Sequence, residues 1–139
     1  MEAGGRQFSG FKDYYQFAHP TRVVAGRGMI DSVGFEFMKD GAKRPLIVTD
    51  QVIRGTGLIE KVEAGVTGGG LEVAGIFDEC PQDSSVQTVE ACAAAATEAG
   101  ADSFLAVGGG SVMDTAKASN AVFTHGGGGG KARVAFAAP

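Results

Sequence analysis

FLAVGGGSVMDTAK, residues 104–117, carries an apolar run into three glycines and then into a segment with helical spacing. Bare backbone where a strand hands over to a helix has two explanations: a turn that needs only flexibility, or a cradle for a ligand that must touch the main chain. A helix start leaves several N–H groups without intrahelical partners and carries partial positive charge, so an anion such as pyrophosphate is favoured there. The competing explanation is a capping box, Ser111 with Asp114, which would satisfy two of those N–H groups internally. Capping accounts for Ser111 and Asp114 but not for three consecutive glycines, each of which costs backbone entropy on folding. The cradle is the favoured reading.

Outward from this junction the chain alternates between two periods. Short apolar or β-branched runs at 21–26 (TRVVAG), 45–50 (PLIVTD), 71–77 (LEVAGIF) and 103–107 (SFLAV) read as strands, with a last one in ARVAFAAP at 132–139. Between them lie helical patterns. In 29–41 the spaced residues are Ile30, Val33, Phe37 and Met38, with Gly41 as C-terminal cap. In 58–66 they are Leu58, Ile59, Val62 and Val66. The stretch 83–100 opens with Asp83 and Ser84 as capping residues, stacks Val86, Val89, Ala93 and Ala96, and stops at Gly100. SVMDTAKASNAVFTH, 111–125, is the last helix. Strand–helix alternation with apolar strands predicts crossover units and a Rossmann-like α/β fold, a parallel sheet with helices on both faces.

Ligands of such sheets bind beyond the carboxyl ends of the strands. Besides the glycine turn, two segments lie there. Asp50 ends PLIVTD, where an acid can accept hydrogen bonds from an adenosine ribose and repel the extra phosphate of NADP, or can simply form a turn. ECPQDSS, 79–85, reads locally as a turn and helix cap. GRGMID, 26–31, imitates the dinucleotide fingerprint G-x-G-x-x-G but has Asp31 at the third position, so Gly26 and Gly28 read as turn residues.

Composition narrows the classes. The 139 residues suit one domain, 21–139, preceded by an aromatic arm at 1–20. With net charge −4 and scattered basic residues, the chain has no stripe to neutralise a nucleic-acid backbone. No apolar run approaches the ~18 residues of a membrane span, and residues 1–20 lack a secretory pattern, so a cytoplasmic location is expected. Cys80 and Cys92 lack CxxC spacing and read as structural thiols. The 23 glycines cluster at 68–70, 108–110 and 126–130, which points to loops.

Taken together, IVTD, GLIEKV, FDECPQDSS and GADSFLAVGGGSVMDTAKA resemble the N-terminal half of the iron-containing (group III) alcohol dehydrogenases, from about Thr21 to Phe123. The resemblance implies a dinucleotide-binding domain, a second all-helical domain that supplies the metal, Fe or Zn, and hydride transfer between an alcohol and NAD rather than NADP. It further implies that Gly109, Gly110 and Ser111 hold the pyrophosphate, that Asp50 meets the adenosine ribose, and that Asp114 lies towards the nicotinamide ribose. Lys117 would support that helix or the cofactor. Where the family has P-N-P-T beside the adenosine, this chain has Pro81, Gln82, Asp83 and Ser84, which makes Gln82 a candidate contact.

Downstream the pattern departs. The family's Pro-Thr-Thr and G-T-G-S-E stretches are missing, and the two histidines, His19 and His125, have no acidic partners at ligand spacing. The resemblance therefore implies the cofactor side of an enzyme, with no catalytic residue and no metal ligand in these 139 residues and no turnover by them alone. Its partners would be a nicotinamide cofactor, a small alcohol or aldehyde, and further copies of itself in a homo-oligomer. A non-catalytic interaction module, and the cofactor half of a glycerol dehydrogenase or dehydroquinate synthase relative, stay open as alternatives.

Overall fold

The structure, a computed structural model, describes residues 21–126 and the backbone of the strand Arg133–Ala137. The arm at 1–20 with His19, and most of the glycine run 126–130, lie outside the described residues.

Four strands form one sheet: β1 (Pro45–Val48), β2 (Gly75–Phe77), β3 (Ser103–Val107) and β4 (Arg133–Ala137). Their order is β2-β1-β3-β4 and every neighbouring pair is parallel. The helices are α1 (Val33–Lys39), entered through a 3-10 turn at Met29–Ser32, then α2 (Gln51–Arg54), α3 (Leu58–Gly68), α4 (Val86–Glu98) and α5 (Gly110–His125). This is the Rossmann-like α/β arrangement expected from the alternation.

Side chains of β1 and β3 alternate between two apolar layers, which is why both strands are buried on both faces. Leu46, Val48, Phe104 and Ala106 pack with Cys92, Ala93, Ala96, Val112, Ala116 and Phe123 of α4 and α5. Ile47, Leu105 and Val107 pack with Phe37, Ile59, Val62 and Val66 of α1 and α3. Phe104 and Phe123 meet edge to face, ring centroids 5.5 Å apart.

Several expectations change. Residues 21–25 form no strand and pair with none of the sheet; Val23 is 81% exposed. A β-branched run needs a neighbour to become a strand, and none of the described residues supplies one. The third expected strand pairs only over Gly75–Phe77, although Leu71 is buried. Met38 points to solvent, because α1 meets α3 through Gly34, whose added Cβ would fall 2.5 Å from the Val66 carbonyl oxygen. The cap of α4 is Ser85 rather than Asp83 or Ser84: its hydroxyl accepts from the Thr88 N–H at 3.2 Å, and Val86 is left exposed. Gly100 ends the α4 region as expected, in the left-handed conformation with φ of 63°.

Candidate functional site

The chain leaves β1 for β2 on one side and then crosses over to β3 on the other. Connections therefore diverge between the carboxyl ends of β1 and β3, the position where open sheets leave a crevice. Thr49, fully buried, fixes those ends relative to each other. Its hydroxyl donates to the Val107 carbonyl at 2.8 Å, its N–H donates to Phe77 at 2.8 Å, and its carbonyl accepts from the Cys80 N–H at 3.4 Å. Strands β1, β2 and β3 are thus tied together at one residue.

Asp50 follows at the edge of the crevice and caps α2, with Oδ1 accepting from the Ile53 N–H at 2.8 Å. The turn-forming reading of this residue is met, and one oxygen is left over. Oδ2 has no protein partner among the described residues, and Asp50 lines the cleft.

The β2–α4 loop is held to the start of α5 by two hydroxyl contacts. Ser111 donates to the Gln82 carbonyl, and Ser84 and Thr115 hydroxyls lie 2.9 Å apart. Since Thr115 already donates its single proton to the Ser111 carbonyl at 2.8 Å, Ser84 is the donor of that pair. The opening between loop and helix is set by these contacts.

The three glycines separate into two kinds. At Gly108, φ is 157° and an added Cβ would lie 2.8 Å from Val112 Cγ2, so the fold itself requires glycine. At Gly109 and Gly110 an added Cβ would meet no atom within 4 Å. Neither packing nor turn geometry asks for bareness there.

The competing capping box does not form. Gly109 is the N-cap of α5 with no side-chain hydrogen bond, Ser111 is already inside the helix and turned to Gln82, and Asp114 is solvent-exposed beside Lys117, 3.8 Å away. The N–H groups of Gly110, Ser111 and Val112, which no helix can satisfy from within, consequently lack a capping side chain.

An open cleft of about 490 Å³ lies over this turn. Asp50, Gln82, Gly109, Gly110 and Ser111 all border it, so five of the seven residues expected at a cofactor come together. Asp114 and Lys117 do not. They stand about one and two turns along α5, outside the cleft, so any contact with a ligand would have to be made beyond it.

Asp78 and Glu79 add two carboxylates to the lining, and no Lys or Arg among the described residues borders the cleft. Burial pushes the Cys80 thiol up to about 11; its side-chain contact with Thr115 opposes this, while Asp50 and Asp78 add to it. Burial likewise raises Cys92 to about 11, so both thiols stay protonated at neutral pH, as suits structural residues. Among the described residues no group of three or more His, Cys, Asp or Glu could hold a metal, and no helix is long and apolar enough to cross a membrane.

Sequence reasoning missed Thr49, Thr115 and Asp78. Only their places after strands or on the last helix mark them in the sequence. Their roles come from partners far along the chain.

A family model for iron-containing alcohol dehydrogenases matches residues 20–137. The NAD-dependent methanol dehydrogenase of Bacillus methanolicus is 38% identical over 111 residues, 80% of this chain and 29% of that protein. The 4-hydroxybutyrate dehydrogenase of Cupriavidus necator is 36% identical over 105 residues, 76% of this chain and 27% of that protein. Among solved structures, maleylacetate reductase from Agrobacterium tumefaciens superposes with a TM-score of 0.73 at 26% identity, over 92% of this chain and 33% of its own. For the NADH-dependent butanol dehydrogenase A of Thermotoga maritima the TM-score is 0.71 at 28% identity, over 78% of this chain and 27% of its own. The chain spans a third or less of these relatives.

Proposed function

The chain belongs to the iron-containing alcohol dehydrogenase family, and from that premise we propose that it is the NAD-binding part of a metal-dependent dehydrogenase acting on an alcohol or hydroxyacid. The observation that carries this reading is the open space above Gly109 and Gly110 at an uncapped helix start. A diphosphate laid there accepts hydrogen bonds from the N–H groups of Gly110, Ser111 and Val112, with the helix dipole adding about 0.3–1 kcal/mol per contact of this kind. Asp50 Oδ2 accepts from a hydroxyl of the adenosine ribose, and Gln82 borders the same end. With Asp50, Asp78 and Glu79 in the lining, a cofactor carrying an additional ribose phosphate is repelled, which favours NAD over NADP.

A dinucleotide held by Asp50, Gln82 and the α5 amides would supply the hydride acceptor, and a metal held outside these residues would supply Lewis-acid chemistry for the alcohol. This chain's own residues bind and orient. On this reading the metal ligands and the alcohol pocket lie in the part of the relatives' length that this chain does not span.

Direct titration with NADH tests the reading, because a chain without tryptophan leaves nicotinamide fluorescence almost free of background. Saturable enhancement is expected, with affinity falling by at least about tenfold in Gly110→Val while the melting temperature stays close to that of the unaltered chain. No response at millimolar NADH, or equal binding by Gly110→Val, would contradict it.

A further inference from the structure

A guanidinium beside the cleft is held by a carboxylate that borders the cleft. Arg54 ends α2, one turn after Asp50, and its N–H donates to the Asp50 carbonyl at 3.0 Å, so the two residues stand one turn apart along the chain. Its guanidinium pairs with the Asp78 carboxylate, and Gln51 Nε2 reaches the Asp78 carbonyl at 3.4 Å. The Arg54 side chain is 44% exposed and that of Asp78 20%; Asp78 lines the cleft, and Arg54 stands behind it, outside the lining. Near an acid that receives an adenosine ribose, an arginine is the group that accepts the 2′-phosphate of NADP, through a planar fork that fits phosphate oxygens. Here one arm of that fork, Nη1, is engaged by Asp78.

We infer that Asp78 is a cofactor-specificity residue: by holding Arg54 it withholds from a ribose phosphate the guanidinium that stands one turn from Asp50. The inference rests on the reading that a nicotinamide dinucleotide occupies the cleft with its adenosine ribose at Asp50. Removing Asp78 changes two things in the same direction. One repelling carboxylate leaves the rim, and Arg54 becomes available to a phosphate.

The experiment is a set of fluorescence titrations with NADH and with NADPH at low salt, where rim charges are least screened. It compares the unaltered chain, Asp78→Ala, and Asp78→Ala combined with Arg54→Gln. The unaltered chain should favour NADH. Asp78→Ala should bind NADPH about tenfold more tightly than the unaltered chain does, with NADH affinity changed by less than about threefold, and Arg54→Gln should remove that gain. Should Asp78→Ala lower the melting temperature sharply, Asp78→Asn keeps the side-chain shape and should show the same trend at smaller amplitude. An unchanged NADPH affinity in the Asp78 variants overturns the inference, and so does a gain that survives Arg54→Gln. Binding of neither cofactor by the unaltered chain is a different failure: it removes the cofactor site, and this inference with it.

Discussion

Asp102 shows how much one carboxylate can hold together away from the cleft. Its oxygens accept from the N–H groups of Lys43 at 2.8 Å and Arg44 at 3.0 Å and from the Ser103 hydroxyl at 2.8 Å, joining the segment that enters β1 to the one that enters β3. Burial pushes this carboxyl up, but hydrogen bonds from Arg44, Ser103 and Lys43 outweigh it and hold the group below the ordinary 3.8. A carboxyl depressed in the folded state contributes stability that is complete above the unfolded value and lost as pH falls through the folded one. Asp102→Asn weakens three hydrogen bonds to a charged acceptor and, discounted for the solvent exposure of Asp102, should cost about 1 kcal/mol at neutral pH and flatten the acid limb of the stability curve. Urea unfolding at neutral pH and at about pH 3 checks both, and equal pH dependence in the two proteins would contradict the assignment. Single residues are also where the sequence was hardest to read. Ser111 has the type and spacing of a helix cap, yet its hydroxyl goes to Gln82, 29 positions away. Asp50 does form the local turn its residue type suggests, and the same carboxylate faces the cleft; spacing alone could not separate the two roles.

Between elements, the tightest contacts are made by glycines, of which Gly34 and Gly65 fall in stretches that read as helical and Gly69 in a run that reads as a loop. An added Cβ at Gly65 would lie 2.4 Å from the Ile30 carbonyl oxygen, and one at Gly69 would lie 2.5 Å from the Gly34 carbonyl carbon. The backbone of α3 therefore rests directly on α1 and the 3-10 turn before it. Gly65→Ala has no flexible neighbour to displace and should destabilise the chain by about 3 kcal/mol, whereas Gly68→Ala, with no atom within 4 Å of its added Cβ, should lie within about 0.5 kcal/mol of the unaltered chain. Thermal unfolding of the two variants side by side makes the comparison, and similar losses in both would refute this account of the contact. Periodicity located α3, α4 and α5 because each places apolar residues on one face over at least three turns. It misjudged α1, where a seven-residue helix packs through a glycine instead of a side chain and Met38 is left outside. It also overextended β2, since strand length is decided by pairing with β1 and not by the apolar run.

For the whole molecule, the informative fact is where the sheet changes direction. The alternation of strands and helices made a parallel sheet legible, but the order β2-β1-β3-β4 follows from which edges the crossovers choose, which no local pattern records. That order sets the residues after β1, β2 and β3 around one cleft although they stand some 30 positions apart, and it leaves Gly109 and Gly110 bare beneath it. The central claim is that those bare amides receive a diphosphate. At 14.1 kDa the chain is small enough for every backbone amide to be followed by nuclear magnetic resonance while NADH is added. The account predicts that the largest shifts fall on Gly109, Gly110, Ser111 and Val112, with Asp50 moving at the same cofactor concentration; shifts confined to other parts of the chain, with these amides unmoved at saturation, would contradict it.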